Sequence, residues 1–127
     1  MRKSKAWIII GGISGFLGVA LGAFGAHVLE PKLSSEMITI YNKGILYHLI
    51  HSAVILSIAL AGKEKFYKCA LFFTIGIVLF SFSLYLYSTT RIITFALITP
   101  LGGVSFLIGW LLVLTEGFRM NKEEKTE

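Results

Sequence analysis

The stretch at residues 6–26, AWIIIGGISGFLGVALGAFGA, decides how the rest of the chain is read. It holds no charged residue, and an apolar run of about 20 residues crosses a bilayer as a helix rising 1.5 Å per residue. Its glycines, Gly11, Gly15, Gly18, Gly22 and Gly25, recur at steps of 4, 3, 4 and 3. That spacing keeps them on one helix face that drifts only slowly. Gly11/Gly15 and Gly18/Gly22 are GxxxG pairs. In lipid, where burial of apolar surface gives no drive, bare glycine faces let two backbones approach and pack. Gly11, Gly15 and Gly18 are therefore expected to be helix-packing positions, inside the bundle or against a second subunit.

Three further apolar runs follow, at about residues 39–61, 66–88 and 92–115, leaving a tail at 116–127. None alternates polar with apolar residues as a membrane strand does. Backbone groups in hydrocarbon must pair internally, so these runs are helices. The links Gly62-Lys63-Glu64-Lys65 and Thr89-Thr90-Arg91 are short and force antiparallel neighbours. The connection at 28–38 is longer; Pro31 marks a stop, Ser34 or Ser35 a new helix cap, and an amphipathic surface turn fits between. The expected fold is a single all-α integral membrane domain over residues 1–127, a four-transmembrane-helix antiparallel bundle.

Composition agrees. Of 127 residues, 55% are hydrophobic and 15% charged, against roughly 25% charged in a soluble domain; mean hydropathy is +0.77. A soluble enzyme, a disordered tail and a disulfide scaffold are excluded. The net charge of +5 does not signal nucleic acid, because the basic residues cluster between the runs instead of lining one helix. Arg2, Lys3, Lys5, Lys63, Lys65, Lys68, Arg119, Lys122 and Lys125 fall on one side; Lys32, Lys43 and Arg91 fall on the other. The positive-inside rule then places both termini in the cytoplasm. A signal-peptide reading of the first run is disfavoured, since the run exceeds a 7–15-residue h-region. The lone Cys69 permits no internal disulfide and reads as a packed thiol.

Chemistry-bearing residues are few. The second run carries Tyr41, Gly44, His48, His51 and Ile55 at steps of 3, 4, 3 and 4, with Tyr47 one turn before His51. Ionisable side chains inside a span face the protein interior and often mark sites. Measured from the outer end, His48 lies roughly 13 Å deep and His51 roughly 18 Å. The third run brings Thr74, Ser81, Tyr85 and Ser88, hydroxyls suited to gluing helices together. In the fourth, Thr99-Pro100-Leu101-Gly102-Gly103 predicts a kink, because Pro100 lacks an N–H and clashes with the Ala96 carbonyl. Gly102, Ser105 and Gly109 form a second small-residue stripe. The chain has no Asp, and its glutamates lie at span ends, links or the tail. Nothing in it spells a nucleotide loop, a Ser-His-Asp set or an acidic metal cluster. No catalytic residue, cofactor or metal is expected.

Four blocks carry a family resemblance: Gly22-Ala23-Phe24-Gly25-Ala26-His27; residues 47–52; Phe80-Ser81-Phe82-Ser83-Leu84-Tyr85; and Pro100-Leu101-Gly102-Gly103 running on to Gly109-Trp110. Their order and spacing resemble the domain of unknown function 423 family, the UPF0382 inner-membrane proteins, whose animal relative is transmembrane protein 256. Two positions depart from it. His48 stands where the family usually has Gln in Tyr-Gln-x-x-His, and Phe82 stands where it usually has glycine. The resemblance implies a four-span plasma-membrane protein and no established activity. Two roles are open. One is a non-enzymatic protein associating with itself, another membrane protein or lipid. The other is a small transporter or channel with a polar site around His51, Tyr85 and the Pro100 kink.

Overall fold

A computed structural model describes residues 2–126, and they fold as four long helices: α1 (Arg2–Leu29), α2 (Ser35–Ala61), α3 (Glu64–Thr90) and α4 (Ile93–Glu124). Each is long and apolar enough to cross a membrane. No strand occurs among the described residues. The chain is thus an all-α, multi-pass membrane protein.

Local chemistry sets the helix ends. α1 closes in a π-helical turn, Gly25–Leu29, where the Glu30 N–H reaches back five residues to the Gly25 carbonyl at 2.8 Å. Pro31, without an N–H, cannot extend it. The Ser34 hydroxyl caps α2 by accepting from the Met37 N–H at 3.3 Å. Between them lies a short exposed turn, in which the Lys32 and Leu33 N–H groups both donate to the Leu29 carbonyl at 2.9 Å. α2 ends at Gly62 in the left-handed conformation, φ 67°. Arg91 ends α3 in the same conformation, φ 58°, its N–H bonded to the Tyr87 carbonyl at 2.7 Å. α4 runs unbroken through Pro100 and on to Glu124, so most of the expected tail is helix. Nothing between Thr115 and Lys122 stops it, and Arg119 pairs with Glu116 at 2.9 Å along its surface.

Two end contacts fix the up-and-down topology. Lys3 on α1 meets Glu64 at 3.4 Å, which puts the N-terminus beside the second link. The Arg91 guanidinium donates to the Ser34 hydroxyl at 3.4 Å, which joins the first and third links at the opposite end. The helices form a curved row more than a closed square. α1 packs chiefly on α2, α2 on α3, and α3 on α4. At its N-terminal end α1 also leans on α3 through Trp7 and Tyr67, whose ring centroids are 6.5 Å apart.

Glycine sets the crossings. A Cβ on Gly11 would stand 3.2 Å from the Leu56 backbone nitrogen, and one on Gly18 would stand 2.7 Å from Leu49 Cδ2. Gly102 is tighter, with the backbone of Leu79 and Phe80 where its Cβ would be. Gly76 and Gly109 each receive an aromatic ring, Phe106 and Phe73. The apolar core lies among α2, α3 and α4, built on Ile55, Cys69, Ala70, Phe73, Ile77 and Phe106. Cys69 is fully buried there, a packed thiol. Gly15 departs from the packing expectation. A Cβ there would meet nothing within 4 Å. A helix turns 100° per residue, so a 4-3-4-3 stripe is wider than one contact line, and only Gly11, Gly18 and Gly25 lie on it.

Candidate functional site

The two mid-span histidines sit three residues apart on α2, so they flank its inward face and enter two separate polar nests. In the first, His48 is fully buried and its Nδ1 lies 2.9 Å from the Tyr85 hydroxyl of α3. Gly44, one turn earlier, makes room for this. A Cβ at Gly44 would stand 2.8 Å from the Tyr85 ring and 3.2 Å from the Ser81 carbonyl. The Tyr85 ring packs on Tyr41, centroids 5.0 Å apart. Tyr41 in turn donates to the Leu21 carbonyl of α1 at 2.5 Å. Gly25 exists for that contact, because its bare face lies directly under the Tyr41 ring. Phe82 closes the nest edge-on to Tyr85, with its ring 5.5 Å from His48. A bulky side chain therefore fills the place where a glycine is usual. The Ser81 hydroxyl and His48 Nε2 are buried without a hydrogen-bond partner.

In the second nest, His51 stacks on Phe106 of α4 with ring centroids 3.8 Å apart. Its Nδ1 lies 2.7 Å from the Tyr47 carbonyl, and its Nε2 lies 3.1 Å from the Trp110 indole nitrogen. A carbonyl only accepts and an indole N–H only donates. These partners assign the proton to Nδ1 and the lone pair to Nε2, which makes His51 a neutral, fully paired imidazole. Beside it, between α2 and α4, lies an apolar groove of about 420 Å³ lined by Tyr47, Phe80, Pro100, Gly103 and Trp110 among others.

The structure thus divides the site read from the sequence. His51, Tyr47, Pro100 and Gly103 share one groove. His48, Ser81, Tyr85 and Gly25 share the other nest. The proposed trio of His51, Tyr85 and Pro100 is not assembled, because Tyr85 faces the His48 edge of α2 while Pro100 lies exposed on α4. Gly102 is the α3–α4 crossing point. Gly22 makes only an ordinary contact, with Ile45 at 3.4 Å. His27 is exposed at the far end of α1 and joins neither histidine. Among the described residues no three His, Cys, Asp or Glu side chains gather as metal ligands.

Sequence reasoning left out Tyr41, Phe106 and Trp110 as site residues. Tyr41 lay on the Tyr41-Gly44-His48 line, and that spacing was the available signal. Phe106 had none, since one phenylalanine among ten looks like any other. The remaining polar pairs are helix glue. The Ser14 and Ser52 hydroxyls join α1 to α2 at 2.6 Å, Ser83 and Thr99 join α3 to α4 at 2.6 Å, and Ser105 donates to the Phe72 carbonyl at 2.7 Å.

Known proteins resemble the chain along nearly its whole length. The family model described as "Protein of unknown function (DUF423)" matches residues 21–103. The UPF0382 inner membrane protein YgdD of Escherichia coli K12 is 40% identical over 94% of this chain and 95% of its own length. The UPF0382 membrane protein YwdK of Bacillus subtilis 168 is 40% identical over 87% of this chain and 94% of its own length. A UPF0382 membrane protein of Staphylococcus saprophyticus is 37% identical over 91% of this chain and 99% of its own. No solved structure matches.

Proposed function

Since the chain belongs to the DUF423 (UPF0382) family of membrane proteins, we propose that it is a non-enzymatic protein of the plasma membrane that works by lateral helix association, with a second copy of itself as the partner. Its cytoplasmic face carries both termini, on the charge bias described above. The inner-membrane placement follows the name of its Escherichia coli relative.

One observation carries the association reading. Between α1 and α2, on the outside, runs a groove of about 280 Å³ floored by Gly11, Gly15, Ser52 and Ala53 and walled by Val19, Leu49 and Leu56. Gly11 serves the internal crossing, whereas Gly15 supports nothing inside the chain. A small-residue floor facing lipid is the surface on which membrane helices approach closely. The substitution Gly15→Leu separates assembly from folding, because a Cβ there meets no atom of its own subunit within 4 Å and the added bulk goes into the outward groove. Subunit counting of single molecules in native membranes is expected to give dimers for the natural sequence and mainly monomers for Gly15→Leu, with the melting temperature in dilute detergent unchanged. Monomers for both sequences would overturn the reading.

The transport alternative draws on the buried His48–Tyr85 pair. It requires solute flux in proteoliposomes that disappears in His48→Ala. The apolar linings of the grooves and the paired state of His51 weigh against it.

A further inference from the structure

Trp110 divides the seam between α2 and α4 into two grooves. One is the apolar groove beside His51. The other, of about 460 Å³, runs from Trp110 to the second link. Val54 and Ile58 of α2 line it on one side, Val113 and Met120 of α4 on the other. Ser57 and Ala61 on its rim are exposed, so the groove opens sideways to lipid. Ten residues separate Trp110 from Met120, about 15 Å along a helix. That is half of a hydrocarbon core about 30 Å thick, the depth of one leaflet.

The lining fixes the chemistry of what lies in it. The polar side chains at membrane depth are already paired. The Ser57 hydroxyl donates to the Ala53 carbonyl at 2.8 Å, and the Trp110 indole N–H donates to His51 at 3.1 Å. The inserted part of an occupant therefore finds only van der Waals contact, which suits hydrocarbon. The groove's volume over its length gives a section of roughly 30 Å², less than half that of a helix about 10 Å across. It has room for an acyl chain and not for a helix.

The mouth, by contrast, is cationic. Gly62 turns the chain out of α2, and Lys63, next in the chain, lines the groove at its link end. Phe66 lines it too, and the Lys65 ammonium stands 5.9 Å from the centre of that ring. The neighbouring carboxylates are taken, Glu64 by Lys3 and Glu116 by Arg119. Among the described residues neither Lys63 nor Lys65 has an ion-pair partner. An apolar groove one leaflet deep, with two uncompensated cations at its headgroup end, complements a lipid with a negative headgroup. We propose that this groove holds one acyl chain of an anionic phospholipid, its headgroup against Lys63 and Lys65. The lipid belongs to the leaflet at the second-link end, the cytoplasmic one on the orientation proposed above. Binding itself depends neither on that orientation nor on self-association.

Trp110 reports on the groove directly. The chain has two tryptophans, and Trp7→Phe leaves Trp110, 43% exposed, as the only one. The full chain with Trp7→Phe is reconstituted in phosphatidylcholine vesicles. Quenching of Trp110 is titrated with phosphatidylglycerol or phosphatidylcholine brominated on the acyl chains. Phosphatidylglycerol is expected to quench with an apparent affinity about fivefold or more above phosphatidylcholine, the ratio that one lysine supplies at a membrane surface. Lys63→Gln with Lys65→Gln is expected to bring that ratio to one. Arg2→Gln with Lys5→Gln removes the same charge from exposed positions of α1, outside the groove, and is expected to leave the ratio unchanged. Ser57→Phe, which fills the groove from its exposed rim, is expected to bring the ratio to one with the melting temperature retained. Equal quenching by the two lipids in the natural groove would overturn the assignment. So would a preference that survives Ser57→Phe or the Lys63 and Lys65 changes, or one that falls as far with Arg2 and Lys5, which marks diffuse charge. Absence of quenching by either lipid would overturn it too, since a second copy would then cover the groove.

Discussion

At Gly102 a methyl group has nowhere to go. The backbone of Leu79 and Phe80 stands where the Cβ would be, and backbone, unlike a side-chain tip, cannot turn aside. Gly102→Ala is expected to lower stability by about 1–3 kcal/mol, the range of overpacked interiors, read as a fall in melting temperature in detergent. The same change at Gly15 meets open space. Gly15→Ala is expected to leave stability unchanged or raise it by up to about 1 kcal/mol, because alanine is the better helix former. Identical residues in similar runs thus have opposite consequences. A second residue-scale prediction concerns His51. Trp110→Phe keeps an aromatic ring and removes the N–H that pairs with Nε2. Leaving that acceptor unpaired is expected to cost about 1–3 kcal/mol, measured in the same melts. An equal melting temperature would deny the hydrogen bond its place in holding α2 to α4.

At the scale of elements, the helix ends carry the sharpest signals. Gly62 and Arg91 both end helices with φ near +60°, a conformation that costs a residue with a Cβ roughly 1–2 kcal/mol. Gly62→Ala is accordingly expected to destabilise by about 1 kcal/mol and Arg91→Gly to stabilise by about the same. The Arg91–Ser34 contact is exposed and 3.4 Å long, so its loss subtracts little. Reversed signs in the two melts would show that the ends are not held as described. Pro31 and Ser34 were readable at this scale for the reasons that make them work: one lacks a donor, the other offers an acceptor. The π turns at Gly25–Leu29 and Ile77–Phe82 were not readable. One added residue per turn needs no special side chain, so nothing in the composition announces it. Pro100 was read as a kink, and α4 stays helical through it. A span can carry a proline where neighbouring helices hold the line.

For the whole molecule, the curved row of helices has two consequences. It leaves lateral openings on both flanks of α3, one under His48 and one beside His51, which a closed square of helices would seal. It also puts the N-terminus and the second link at one end, beside Lys3 and Glu64, and the first and third links at the other. The proposed orientation in the cell rests on the charge bias of the links. In intact cells a membrane-impermeant thiol reagent is expected to label Ile92→Cys and to spare Lys63→Cys until the cells are lysed. The opposite pattern would invert the molecule. Cys69, fully buried, gives no background.

The sequence by itself determined the solvent, the number of crossings, their helical form and the stops at Pro31, Ser34 and Gly62, though not the end of α4. Each of these depends on residues near one another along the chain: apolar run length, unpairable backbone groups, a proline, a capping serine, a glycine at a helix end. It also marked His48, His51 and Tyr85 as worth inspecting, because polar groups in hydrocarbon are costly wherever they lie. Only the tertiary structure decided that His48 pairs with Tyr85, that His51 pairs with Trp110, and that Gly15 faces outward while Gly11 and Gly18 face in. Those outcomes depend on the rotation and offset of one helix against the next. Side-chain shape fixes both, and in a chain whose apolar faces run all the way round, periodicity leaves both open.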